Sequence, residues 1–277
     1  MGISLRHHVL TLVASFLMLL VGLLVGVGLS SEPGLQQTID KLGEDFKALR
    51  AENFALSDSE REHEEFEQAL LPTLVRGRLQ GQLIPLLITT RPLGNDPSRN
   101  AATQLADALE AAGARVPYRV SWHDDFAERA VAAYGGDATS ACEKATRAIA
   151  RSVAQADSEE LQALRKRKLI RIQGDIPGTG PTGVVVLGGA ETEAQSAIEH
   201  IDRPLLETLV AAGISRIVGC EAGPVASYVS TYREFDIATV DNVNLARGQF
   251  SVVLALAGQP GRYGDRGFGT RAFPEIK

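Results

Sequence analysis

LADALEAAGARVPYRVS at residues 105–121 and LLETLVAAGISRIVGCE at residues 205–221 align without a gap and share the core LxxxLxAAG. Each reads as an amphipathic helix stopped by a glycine and followed at once by an apolar run of strand type. In front of the first lies LIPLLITT at residues 83–90, bounded by Gly81, and in front of the second lies GVVVL at residues 183–187. Such continuous apolar runs belong to parallel strands covered on both faces. The grammar strand, helix, strand is therefore written twice. It predicts an α/β domain over residues 82–277, a Rossmann-like open, mostly parallel sheet built from two related βαβ halves. The first helix is expected to start with Ser98 as its N-cap and to present Ala102, Leu105, Ala106 and Leu109 on one face. The second spans residues 204–212, and the strands after the helices run over residues 115–122 and 214–220. FSVVLALA at residues 250–257 reads as a further buried strand. Residues 258–277, with five glycines and two prolines, read as a loop. Residues 124–173 carry helical patterns, and Arg165-Lys-Arg-Lys168 reads as a solvated helix end.

Outward from the sheet, the N-terminal segment has a different character. Residues 9–29, VLTLVASFLMLLVGLLVGVGL, are 21 consecutive residues without a charge. At about 1.5 Å per residue they make a helix of about 31 Å, against a hydrocarbon core of about 30 Å. The run is too long for the apolar region of a cleaved signal peptide, and Gly28-Leu29-Ser30 is a poor cleavage site, so a single-pass transmembrane anchor is expected. Arg6 precedes it and the first lysine after it is Lys41, which puts residues 1–8 in the cytoplasm and the bulk of the chain outside. Gly22 and Gly26 form a G-x-x-x-G pattern that either serves helix pairing or faces lipid.

A helical stalk is expected over residues 35–71. Leu35, Leu42, Leu49 and Leu56 recur every seven residues, with Ile39, Phe46 and Asn53 interleaved. That is the seam of a short coiled coil, in which a polar Asn53 favours a two-stranded register, and it predicts a homodimer. An amphipathic helix lying on the domain is the alternative. Asp58, Glu60, Glu62, Glu64, Glu65 and Glu67 against Arg61 alone read as a solvated face.

Composition narrows the function. With 277 residues, 44% of them hydrophobic, the chain can bury one or two sizeable cores. A formal net charge of −6 offers no basic footprint for nucleic acid. Gly178-Thr-Gly180-Pro-Thr-Gly183 has dinucleotide spacing but precedes a strand instead of following one, and Pro181 removes a phosphate-binding N–H, so it reads as a turn. No nucleophile elbow, Walker loop or zincin motif occurs, and no catalytic residue is assigned; the chain reads as a non-enzyme.

Metal ligands must converge in space, and the two cysteines, Cys142 and Cys220, are too far apart for a CxxC motif. His123-Asp124-Asp125 and Cys220-Glu221 both end strands at the edge where open α/β sheets hold ligands. The first reads as a helix cap cluster before it reads as a site, and Cys220 reads first as a small buried hydrophobe. If a metal binds, Cys220, Glu221 and His123 are the candidates.

The opening MGISLRHHVLTLVASFLMLLVGLLVGVGL, the leucine-spaced helix behind it, the strand LIPLLIT, the segment VVVLGGA and the ending YGDRGFGTRAFP resemble the copper transporter family typified by mycobacterial copper transport protein B, a copper transport outer membrane protein family. The most specific parts are the I-S-L-R-x-H start and Tyr263-Gly264 with Phe268-Gly269-Thr270. The resemblance implies a membrane-associated envelope protein with a role in copper transport or copper homeostasis, and copper is the only cofactor it suggests. It transfers no ligand residue to this chain. One helix cannot enclose a pore, so the alternative is an envelope scaffold that dimerises through its membrane helix and coiled coil and docks an envelope partner.

Overall fold

The computed structural model describes residues 5–27, 33–89, 97–190, 197–222, 226–264 and 270–275. The segment between LIPLLITT and the first helix, residues 91–96, falls outside these, as do Leu29, Ser30 and Phe268-Gly269. The chain forms two compact units, Met1–Arg61 and Glu62–Lys277.

The first unit holds α1 (Leu5–Val27) and the part of α2 (Pro33–Val75) up to Arg61. Among the described residues no helix is long and apolar enough to cross a membrane. Side chains of α1 are described over residues 11–24 only, a rise of about 21 Å, and the span expected at residues 9–29 runs past both ends of that stretch. Of the heptad positions, Leu42, Phe46, Leu49 and Leu56 are exposed, while the side chains of Leu35 and Ile39 lie outside the described residues. Asn53 turns its amide back on its own helix, donating to the Leu49 carbonyl at 3.1 Å.

The second unit is a three-layer sandwich around a seven-stranded sheet in the order β3-β2-β1-β4-β5-β6-β7. The strands are β1 (Leu86–Ile88), β2 (Tyr118–Trp122), β3 (Ile170–Gly174), β4 (Val184–Gly188), β5 (Ile217–Glu221), β6 (Ala238–Val240) and β7 (Arg262–Tyr263). All neighbours are parallel except β2 and β3. The expected halves are both present: β1, α3 (Pro97–Ala111) and β2 make one, and β4, α7 (Arg203–Ala211) and β5 the other. Their helices end identically. Ala114 N–H donates to Leu109 O at 3.0 Å and Ile214 N–H to Leu209 O at 3.3 Å, each reaching over a left-handed glycine, Gly113 at φ 92° and Gly213 at φ 79°. This closure is what the repeated Ala-Ala-Gly encodes, because only glycine takes that φ without strain.

Alternation along the strands sorts the core into two layers. Leu86, Val185, Leu187, Val218 and Cys220 face a layer roofed by α3, α9 (Ala246–Leu256) and the end of α2. Leu87, Val184, Val186 and Ile217 face the other, roofed by α4 (Phe126–Tyr134), α5 (Ala138–Gln155), α7 and α8 (Val229–Tyr232).

Four expectations need correction. Residues 250–257 are not a strand but the body of α9, in which every residue except Arg247 is buried. A helix covered on all sides carries no polar stripe, so its period is invisible in an apolar run of eight. Residues 258–277 are not wholly loop, since Arg262 and Tyr263 pair with β6 and Tyr263 bridges to Arg271. Residues 124–173 are not helical to their end: β3 begins at Ile170, directly after the exposed basic end of α6 (Ser158–Lys166). Ser98 does not precede the first turn of α3, which begins at Pro97, a residue whose fixed φ suits that position.

The domain also takes in more of the stalk than residue 82 suggested. Leu71, Val75 and Leu79 are buried against α3 and α9, and Glu64 and Gln68 reach α9 itself. Glu64 Oε1 accepts the Ala246 N–H at 3.0 Å, and the residue preceding α9, Leu245, supplies no side-chain cap. Asp58, Glu60, Glu62 and Glu65 are exposed as a solvated face requires, whereas Glu67 is half-buried with its Oε2 enclosed and Glu64 caps a helix 182 positions away. Glu64→Ala is expected to cost about 1 kcal/mol, a typical cap energy, and to lower the melting temperature by about 2–4 °C. The neighbouring exposed Glu65→Ala should leave the calorimetric transition unmoved.

Candidate functional site

The sheet order identifies where a doubly wound fold can act. From β1 the chain winds outward to β2, and from β4 it winds the opposite way through β5, β6 and β7. The reversal lies between β1 and β4, and crevices at such points, beyond the carboxyl ends of the strands, are where open α/β sheets hold ligands.

Buried polar groups collect at that point. β1 runs out at Ile88, and Thr89 continues its register, its N–H donating to Leu187 O at 2.9 Å. The Thr89 hydroxyl donates to Asp202 Oδ1 at 2.8 Å. Asp202 closes a π-helical turn (Ile198–Asp202) that leads directly into α7, and it is fully buried. The Tyr232 hydroxyl, from the end of α8, donates to the same Oδ1. Oδ2 is enclosed and has no hydrogen-bond partner among the described residues. Gly188, at the end of β4, lies beneath: a Cβ there would collide with the Tyr232 hydroxyl and meet Asp202 Oδ1 at 2.8 Å. Gly219 on β5 similarly admits the Tyr232 ring. Next to it Glu221, also fully buried, accepts from Ser227 Oγ at 3.0 Å and from the Tyr228 N–H at 2.9 Å. Tyr228 packs edge-on to Tyr232 with ring centroids 6.3 Å apart, and its hydroxyl accepts the Ala197 N–H at 2.8 Å.

The electrostatics follow from burial. Among the described residues no cation contacts the Asp202 carboxyl; loss of water pushes its pKa up to about 7, and the two hydroxyl donors only partly offset this. Tyr232 is pushed well above its ordinary value, first by burial and then by the adjacent Asp202. The arrangement gives a carboxyl that exchanges a proton near neutrality, enclosed between hydroxyls.

The three metal candidates do not converge. Cys220 and Glu221 are consecutive on β5 and so point to opposite faces: Cys220 into the layer under α3 and α9, Glu221 toward Tyr228. Burial, with the Glu221 charge adding to it, raises the Cys220 thiol far above its ordinary range, which disfavours the thiolate that a soft metal needs. His123 follows β2, with β1 and β4 intervening, about 14 Å from β5 at about 4.8 Å per strand. Burial and the nearby Arg171 lower its pKa. Asp125 takes the N-cap position of α4 as the cap reading expected, but it makes no side-chain cap bond and pairs instead with Arg129. Cys142 lies in the layer opposite to Cys220. Among the described residues no group of three or more His, Cys, Asp or Glu side chains is placed to hold a metal ion.

Of the residues at the switch point, only Glu221 was singled out by sequence. Asp202, Tyr232 and Thr89 escaped because an acid two residues before Pro204 reads as a helix start and a threonine ending an apolar strand reads as its edge. The available signal was the pair Gly188-Gly189 directly after a buried strand, since consecutive glycines there announce close approach of other groups.

Gly188→Ala is expected to destabilise the chain by about 1–3 kcal/mol through overpacking. Combined with Tyr232→Phe, which removes the colliding oxygen, the loss should be less than additive in denaturant unfolding.

No curated protein matches the chain. The family model described as "Copper transport outer membrane protein, MctB" matches residues 2–274, nearly the entire length. The chain, with its doubly wound sheet and its long N-terminal helices, belongs to the MctB copper transport outer membrane protein family.

Proposed function

We propose that this protein is a membrane-anchored, non-enzymatic component of the cell envelope that serves copper transport or copper homeostasis, with copper as cargo. The observation that carries the reading is the family match over residues 2–274. The sheet argues for an assisting role instead of a conduit. Its strands are two to five residues long and their residues are mostly buried, whereas a membrane barrel strand needs about 9–11 residues with an alternating lipid face. Anchoring is supported by α1, a helix of 23 residues whose described apolar side chains, Phe16, Leu17 and Met18 among them, are exposed and need a nonaqueous surrounding. The position of Arg6 before this helix supports an extracytoplasmic domain.

A second reading, an envelope scaffold acting as a homodimer and docking an envelope partner, is favoured by the exposed seam of Leu42, Phe46, Leu49 and Leu56. Four large apolar side chains on one helical stripe are covered when a second copy supplies the same stripe. With Asn53 and Phe46 at a positions and the leucines at d, the pattern is that of a parallel pair.

Cells lacking the gene, challenged with excess copper, should differ from wild type in copper tolerance and in cell-associated copper, and the intact gene should restore both. Unchanged copper content and tolerance would rule out the copper role. In native membranes Leu49→Cys should cross-link to a second copy under mild oxidation, while Ala51→Cys, on the far side of the stripe, should not. Equal behaviour of the two would exclude the seam. Protease added to spheroplasts should digest the sheet domain if the orientation is right.

A further inference from the structure

We propose that Asp202 is a proton-held latch at the switch point of the sheet: with its carboxyl neutral, β1, α7 and α8 close on one another, and with it ionised they part.

The case starts from geometry. Three elements distant in sequence meet at one carboxyl oxygen, Thr89 from the end of β1, Asp202 from the start of α7 and Tyr232 from the end of α8. The joint is tight, since even one methyl group on Gly188 has no room beneath it. Asp202 Oδ2 is buried and meets no donor among the described residues, a state that costs a carboxylate more than a neutral acid group.

Among the described residues the neighbours offer no counter-charge. β1 contributes Thr89 and β4 contributes Gly188, neither titratable. β5 contributes Glu221, held by Ser227 and the Tyr228 amide, and Cys220 on the opposite face. α8 contributes Tyr232 and, just before it, Tyr228. On the π turn and α7, Arg203 is drawn outward to Glu199 and Glu234, both at 2.9 Å, and Glu207 pairs with Arg147 of α5 at 2.7 Å. His200 lies on the same turn. The one cation next in sequence to Asp202 is thus committed elsewhere, and Glu221 nearby adds negative charge, so ionising Asp202 leaves a charge uncompensated.

The sign follows. The ordinary value of an aspartate is 3.8 and the folded one is raised to about 7. The folded chain therefore holds the extra proton across that interval, and stability due to Asp202 is greatest at the acid end. It falls as pH rises through the interval and levels off above the folded value. Below the folded value the latch is closed, and above it the carboxylate draws in water.

The test is hydrogen exchange by mass spectrometry on the full-length protein in lipid nanodiscs at about pH 5 and about pH 9, with intrinsic exchange rates divided out. In the wild type, protection over residues 86–89, 198–205 and 229–235 should fall by about tenfold or more at the higher pH, while α6 and β3 stay unchanged. Asp202→Asn, uncharged at both pH values, should hold protection within about twofold across the range. Wild-type protection independent of pH, or the same loss in Asp202→Asn, would overturn the latch. If Asp202→Asn does not fold, Tyr232→Phe decides. Removing a hydroxyl that donates to the carboxylate raises the folded pKa further, so the midpoint of opening should move to higher pH. An unmoved midpoint would overturn the proposal.

Discussion

The pairing of β1 with β4 is the contact on which the sheet domain depends. β1 is only three residues long, with Pro85 before it, yet it carries a neighbour on each side, Leu86 facing Arg119 of β2 and Val185 of β4. A central strand so short has few ladder bonds of its own, and its place is secured by burial of Leu86 and Leu87 into the two layers. Because the two halves wind away from this line, each helical roof covers strands from both halves. Parting β1 from β4 would expose both layers at once. That is why the residues sealing the end of this line, Thr89, Asp202 and Tyr232, carry structural weight beyond their number.

Much of this was legible in the chain. The duplicated Ala-Ala-Gly closures reported two crossover helices because their backbone requirement is local and glycine is its answer. The strands GVVVL and LIPLLITT were legible because burial on both faces imposes uninterrupted apolar residues. The same uniformity hid α9: in FSVVLALA nothing distinguishes a helix covered all round from a strand covered on both sides. β3 was hidden for the opposite reason, since its exposed Arg171 and Gln173 dilute the apolar signal at an antiparallel edge. The site was least legible. Its members come from three distant segments, and no spacing rule connects residue 89 to residues 202 and 232. Glu221 was found because it ends a strand, but its partners were not, and its neighbour Cys220 turned out to face the other layer because adjacent strand residues always do.

The family assignment and the physical chemistry meet at the cargo. Copper(I) favours thiolate and copper(II) imidazole, and the described residues hold the chain's cysteines in separate apolar layers. A protein that kept copper as a resident cofactor would need such donors gathered and deprotonated. One that assists passage, by anchoring, spacing or docking, does not.

The bond from Glu64 to Ala246 also fixes an order of events. A helix whose first turn is completed by a residue 182 positions earlier has no finished N-terminus while the chain is still being made. Until residue 246 has emerged, the layer under α3 lacks its second roof, and Leu71, Val75 and Leu79 have half of their cover missing. The roof over this layer is thus completed only by a late segment of the chain. An N-terminal piece that stops short of α9 leaves that apolar layer open to water, so the sheet domain stands or falls with a segment near the far end of the sequence.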